Sequence, residues 1–296
     1  MHAFLMVLAL AGGAMHDDSL AARIRARIAA VPGAEVAVSF RYPGHGDSLD
    51  INARTMIHAA STMKVPVMIE LFRQVDGGGL SLDQRILLVN QFGSIVDGSL
   101  YSLNKADDSD SSLYARTGER ISVRELMDLM ITRSSNLATN ALIALVGAQR
   151  TTQAMRSLGA DQIQVLRGVE DEKAFERGMN NMTTSADLAT IMEAILQNRA
   201  ASAKSCAAMR DILLHQEFSA EIPAGLPAGT PVAHKTGWIT GHLHDAAIVY
   251  PRGADPYILV VMTRGIPDEN VARALIVEIS RMVYAHVMAE AHARAA

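Results

Sequence analysis

Strand patterns stand at both ends of this chain and helical patterns fill the middle, and that arrangement constrains the fold more than any other feature. Residues 35–42 alternate, with Val36, Val38, Phe40 and Tyr42 on one side. A turn, Pro43-Gly44-His45-Gly46-Asp47, leads to a second alternation through Leu49, Ile51, Ala53 and Thr55, so the two runs read as a hairpin. Beyond Gly225-Leu226-Pro227-Ala228-Gly229, strand patterns return at 232–239, 243–250 and 257–264. Tyr257 to Thr263 is nearly all apolar, as a central strand covered on both faces should be. One helix carrying Leu20, Ile24, Ile28 and Val31 precedes the first strand, and a long one with Leu275, Ile279, Val283 and Val287 closes the chain. The implied fold is α/β (α+β): a sheet lobe from residues 19–60 and 215–296, with a helical lobe, 61–214, inserted between its halves.

The inserted segment opens on Ala60-Ser61-Thr62-Met63-Lys64-Val65-Pro66. Val65, Met68, Ile69, Phe72 and Val75 recur at helical spacing, and Gly77-Gly78-Gly79 ends the run. Pro66 lacks an N–H and is comfortable only in a first turn, so this helix is expected to begin near Ser61. Residues three apart share a helix face, which lets the Ser61 hydroxyl approach the Lys64 amine. The free N–H groups of a helix start favour negative charge developing on the serine oxygen. Ser-x-x-Lys by itself is a weak signal, and the chain contains a decoy, Ser102-Leu103-Asn104-Lys105, in a polar stretch with no amphipathic helix behind it. Further along, Ser122-Val123-Arg124-Glu125 is a capping box opening another helix. A break at Arg133-Ser134-Ser135-Asn136 separates that helix from the next, and residues 167–182 are irregular and charged.

Composition excludes several functions. A net charge of −4 provides no basic field for nucleic acid. One cysteine, Cys206, rules out an intrachain disulfide and reads as a small core residue. The sixteen methionines read as core filler. His242-Leu243-His244-Asp245 has metal-like spacing but no third ligand, so surface histidines are expected and no metal or other cofactor. No Gly-x-Ser-x-Gly elbow, phosphate loop or dinucleotide fingerprint occurs. Residues 3–14 form an apolar run ending in small residues, too short to span a bilayer but suited to the core of a signal peptide, although His2 is the only basic candidate before it. Residues 1–18 are therefore expected to be a signal peptide or N-terminal segment, and the mature protein periplasmic or secreted, without a membrane span and monomeric.

The third strand region opens with His234-Lys235-Thr236-Gly237. With Ser61-x-x-Lys64 and Ser134-Ser135-Asn136 this makes three elements in fixed order, at a helix start, an inter-helix turn and a strand. The set resembles that of class A serine β-lactamases and penicillin-binding proteins, over about residues 19–290. The middle motif is usually Ser-Asp-Asn; here Ser135 replaces the Asp. The resemblance implies an antiparallel sheet with flanking helices and an all-helical lobe. It also implies an acyl-enzyme on Ser61, with Lys64 accepting its proton. Ser134 would relay a proton to the leaving nitrogen, Asn136 would hold a substrate amide, and Lys235 and Thr236 would grip a carboxylate. Gly237 would let the strand approach the ligand, and the N–H groups of Ser61 and Trp238 would form the oxyanion hole.

Deacylation in that family uses a glutamate within Glu-x-x-Leu-Asn. The best match here is Glu176-Arg177-Gly178-Met179-Asn180, with Glu170 and Glu172 as rivals, in a loop that looks shortened. The expectation is a serine hydrolase that opens β-lactam rings. The alternative is a D-alanyl-D-alanine carboxypeptidase or an esterase, acting on a peptidoglycan-like substrate with the same Ser-Lys machinery. A non-catalytic binding protein is argued against by the joint retention of Ser61, Lys64, Ser134 and Lys235.

Overall fold

Residues 19–295 are described by a computed structural model; the segment expected to be a signal peptide lies outside them. Helix α1 (Leu20–Ala29) starts at Ser19, whose hydroxyl oxygen accepts from Ala22 N–H, and precedes the hairpin β1 (Glu35–Tyr42) and β2 (Asp47–Ile51). A short strand, β3 (Ile57–His58), leads into a 3₁₀ turn (Ala60–Met63) and helix α2 (Lys64–Asp76). Small ribbons follow, made by β4 (Arg85–Leu87), β5 (Phe92–Gly93), β6 (Leu100–Tyr101) and β7 (Arg120–Ser122). Then come α3 (Val123–Thr132), α4 (Asn136–Val146), α5 (Ala148–Ser157), the single turn α6 (Glu172–Glu176) and β8 (Met182–Thr183). Helices α7 (Ser185–Leu196) and α8 (Ala203–Leu214) return the chain to β9 (Val232–Ile239), β10 (His242–Val249) and β11 (Tyr257–Arg264), and α9 (Glu269–Ala295) closes it.

The five long strands form one antiparallel sheet in the order β2-β1-β11-β10-β9. The strand expected to be covered on both faces, β11, is at its centre. Tyr257, Leu259 and Val261 point into a core shared with α1 and α9, while Ile258, Val260 and Met262 point into the core shared with α2, α3, α4 and α7. The alternation read in β1 divides the same way. Val36, Val38, Phe40 and Tyr42 face α1 and α9, and Ala37 belongs to the opposite core.

Two details differ from the sequence expectations. Helices α7 and α8, grouped above with the helical segment 61–214, lie against the sheet: α7 packs on β1, β10 and β11, and α8 on β9. The segment from 80 to 120, read as helices and loops, contains the short ribbons. Their runs of two or three residues are below the length at which periodicity is visible. Among the described residues no helix is long and apolar enough to cross a membrane.

Candidate active site

Ser61 sits on the 3₁₀ turn, one turn before the α-helix proper. Pro66 is the third residue of α2, where a missing N–H breaks no intrahelical bond. The residue before the nucleophile, Ala60, has φ 45°, uncommon for a residue with a Cβ. Its N–H donates to His58 Nδ1 at 3.0 Å, and Thr62 Oγ1 donates to Ala59 O at 2.5 Å. Behind them, Thr263 N–H donates to His244 Nδ1 at 3.2 Å, leaving Nε2–H to donate to His58 O at 2.9 Å. That pairing defines a neutral tautomer, and burial holds the His244 pKa down at about 4. Both ring nitrogens are committed to the backbone, and no group of three potential ligands that could hold a metal occurs among the described residues. His244 is fully buried rather than the surface residue expected, because it faces the interior from β10.

Lys64, the first residue of α2, is also fully buried. Its Nζ donates to Ser134 O at 2.5 Å, Ser134 Oγ at 3.1 Å and Asn136 Oδ1 at 2.9 Å. Burial pulls its pKa down to about 7, against the opposing carboxylates of Asp108 and Glu170. The turn between α3 and α4 aims these partners, with Ser134 at φ 56°.

The strand β9 closes the other side. A Cβ on Gly237 would stand 3.1 Å from Thr62 N and 3.2 Å from Ala60 Cβ. Glycine there permits the strand to press on the nucleophile turn, so the close approach is to backbone as well as to whatever occupies the cleft. Lys235 is fully buried and its Nζ donates to Thr236 O at 2.9 Å. Burial, then the Lys64 charge, push its pKa well below the usual lysine range; Asp245 and Glu221 oppose them. Asp245 is itself held by His234 Nδ1 at 3.0 Å and Ile222 N–H at 3.1 Å, and Glu221 by Arg273 at 3.2 Å. Trp238 is 56% exposed on the rim.

Between these walls lies a cleft of about 570 Å³, lined by Ser61, Asn136, Glu170, Glu172, Phe175 and Trp238 among others. Glu176, the residue expected to drive deacylation, stands apart from this cleft. It is exposed at the last residue of α6, away from the cleft lining, and the asparagine of its pattern, Asn180, uses Oδ1 to accept from Arg167 at 2.9 Å. The carboxylate that reaches the site is the rival Glu170. Its Oε1 accepts from Asn136 Nδ2 at 2.9 Å and its Oε2 from Asn104 N–H at 3.2 Å. Burial raises its pKa against those hydrogen bonds. Glu170 has φ 60°, so two of the five non-glycine residues with positive φ among those described, Ala60 and Glu170, line this cleft, and a third, Ser134, bonds Lys64 beside it. Glu172 lines the wall but is exposed. Ser61, Asn136 and Trp238 line the cleft; Lys64 and Ser134 are bonded together beside Asn136, Gly237 packs on the nucleophile turn, and Lys235 and Thr236 precede it on β9. Sequence reasoning passed over Asp108, a buried carboxylate in the polar stretch beside the decoy motif.

A family model described as the beta-lactamase enzyme family matches residues 19–287. Beta-lactamase AST-1 of Nocardia asteroides is 30% identical over 237 residues, covering 78% of this chain and 74% of that one. A solved beta-lactamase from Sphaerobacter thermophilus is 28% identical, with TM-score 0.75, covering 89% of this chain and 96% of that one. A PBP-A variant, solved as an acyl-enzyme complex with penicillin G, is 28% identical with TM-score 0.78 and covers 90% and 95%.

Proposed function

The chain belongs to the beta-lactamase enzyme family, and from that premise we propose that it hydrolyses β-lactam antibiotics through an acyl-Ser61 intermediate. The observation that carries this reading is one hydrogen-bonded chain beside the nucleophile: Lys64 bonds both Ser134 and Asn136, and Asn136 bonds Glu170.

Ser61 Oγ gives its proton to neutral Lys64 as it attacks the ring carbonyl carbon. With a pKa of about 7, Lys64 is part neutral at physiological pH. The oxyanion is held by the N–H groups of Ser61 and Trp238, each worth roughly 3 kcal/mol in the transition state. As the ring C–N bond breaks, the proton passes from Lys64 through Ser134 Oγ to the departing nitrogen. Asn136 holds the substrate's side-chain amide, and Thr236 with Lys235 meets its carboxylate. Glu170 then takes a proton from a water that attacks the ester, and Ser61 Oγ recovers its hydrogen.

Glu170 also supports this reading over the alternative, a D-alanyl-D-alanine peptidase that acylates and stalls, because its carboxylate lines the same cleft as Ser61 and bonds Asn136. Hydrolysis of the β-lactam ring confers resistance to these antibiotics. We place the working protein in the periplasm or outside the cell on the strength of the apolar segment at 3–14. The test is steady turnover of a chromogenic cephalosporin that disappears in Ser61→Ala. Purified protein that binds a penicillin covalently and never releases it would instead support the peptidase.

A further inference from the structure

The first turn of α4 carries Asn136, and it is the part of the cleft where the middle motif departs from its family pattern. Ser135 turns its hydroxyl into the helix, where Oγ accepts from Ala138 N–H at 3.3 Å. The N–H groups of Asn136 and Leu137 at the same helix end need other acceptors. Asp108, 28 residues before Asn136, supplies them. Its two oxygens accept from Asn136 N–H at 2.9 and 3.0 Å, and Oδ2 accepts from Leu137 N–H at 3.0 Å. Tyr114 Oη donates to Oδ2 at 3.0 Å and Asp110 N–H to Oδ1 at 3.0 Å. The residue is 8% exposed. All of these donors are neutral groups, and each aims at one of the two carboxylate oxygens.

We propose that Asp108 is a positioning residue of acylation, standing in for the acidic residue absent at 135. It holds Asn136 so that its amide bridges Lys64 and Glu170, and it places a fixed negative charge beside the Lys64 ammonium. Asn136 cannot turn without losing either the Lys64 bond on Oδ1 or the Glu170 bond on Nδ2. The backbone to which that side chain is attached is what Asp108 grips. The charged groups that face Lys64 are Asp108 and Glu170, both favouring its protonated form, and Lys235, opposing it. Those that face Asp108 are Lys64, Glu170 and Tyr114, with Asp107 and Asp110 on its own stretch.

The proposal rests on the acyl-Ser61 reading for its kinetic readout only. Two measurements test it: the second-order rate of penicillin labelling of Ser61 against pH, by intact mass, and the NMR titration of the Lys64 side chain. Asp108→Asn keeps size and an acceptor and removes the charge; Asp108→Ala removes both. In the wild type, labelling should rise with pH around about 7. In Asp108→Asn, both the labelling midpoint and the Lys64 NMR midpoint should move to lower pH, because a negative charge that favoured the protonated amine is gone. A merely structural role would slow labelling without moving either midpoint. In Asp108→Ala, labelling should fall about 10²-fold, the scale expected of a small misplacement. Adding Ser135→Asp to that variant should restore part of it. An unshifted Lys64 midpoint in Asp108→Asn overturns the proposal, as does wild-type labelling by folded Asp108→Ala or a folded double variant with no recovery. If wild-type protein takes no penicillin at any pH, the acyl-Ser61 reading falls, and the Lys64 NMR titration still decides the role of Asp108.

Discussion

The two walls of the cleft each bury a lysine completely and treat it differently. On the helical wall, Lys64 has three oxygen acceptors from the α3–α4 turn and the start of α4. On the sheet wall, Lys235 donates to Thr236 O, while the carboxylates that ease its burial are engaged by His234, Ile222 and Arg273. The first ammonium is solvated by protein and poised to gain or lose a proton near neutrality. The second is poorly solvated, with a like charge beside it. Burial alone does not set a lysine's part in a reaction; the acceptors around it do.

The largest effect expected is at the point where the walls meet. Ser61→Ala should cost on the order of 10⁶-fold in kcat and abolish the covalent adduct in intact-mass spectra. Next, Lys64→Met should lower kcat by about 10²–10⁴-fold with little change in KM, as loss of a proton acceptor does. Glu170→Gln should slow deacylation about 10³-fold while acylation continues, so the penicilloyl adduct accumulates; Glu176→Gln should turn over like the wild type, and a stalled Glu176→Gln would return the role to that residue. Lys235→Met should act chiefly on KM, by about 10²-fold, through the lost carboxylate grip. Equal damage to kcat from the two lysine variants would erase the contrast between the walls.

The smallest effect is on stability. The Lys64 pKa is about 7 in the folded protein and 10.5 unfolded, so between those values the unfolded chain holds more protons. Burying this amine therefore costs stability below pH 7, and that cost is relieved as pH rises from 7 to 10.5. Denaturant titrations should show wild type gaining on Lys64→Met across that window; parallel curves would mean that Lys64 is not desolvated as described. In the opposite direction, steady turnover should fall as pH drops through the Glu170 pKa, which burial lifts above the ordinary 4.5. Glu170 must be ionised to take a proton from water. A pH–rate profile whose acid limb lies below 4.5 would contradict this.

Much of this site was legible before folding was considered, and the reason is local. Ser61 and Lys64 lie on one helix start whose place Pro66 reveals, although the first turn proved to be 3₁₀. Ser134 and Asn136 fall at a break between two periodic runs, and Lys235 to Trp238 lie in a strand with an apolar pattern. Glu170 was only one of three choices. Its position depends on a left-handed backbone turn in an irregular loop and on an amide 34 residues away, neither of which periodicity reports. Asp108 was missed altogether, because a carboxylate among serines and aspartates looks solvated until a helix end is placed over it.

By itself, then, the order of residues determined where the long strands and helices form, that the sheet draws on both chain ends, and which hydroxyls and amines could react. Those properties follow from side-chain volume, polarity and spacing within a few turns of chain. Only the tertiary structure decided which carboxylate bonds Asn136 in the cleft, what caps α4, and how two fully buried lysines differ. Each of those rests on contacts between groups far apart in the chain, and a pKa is set by the burial and charges that such contacts create.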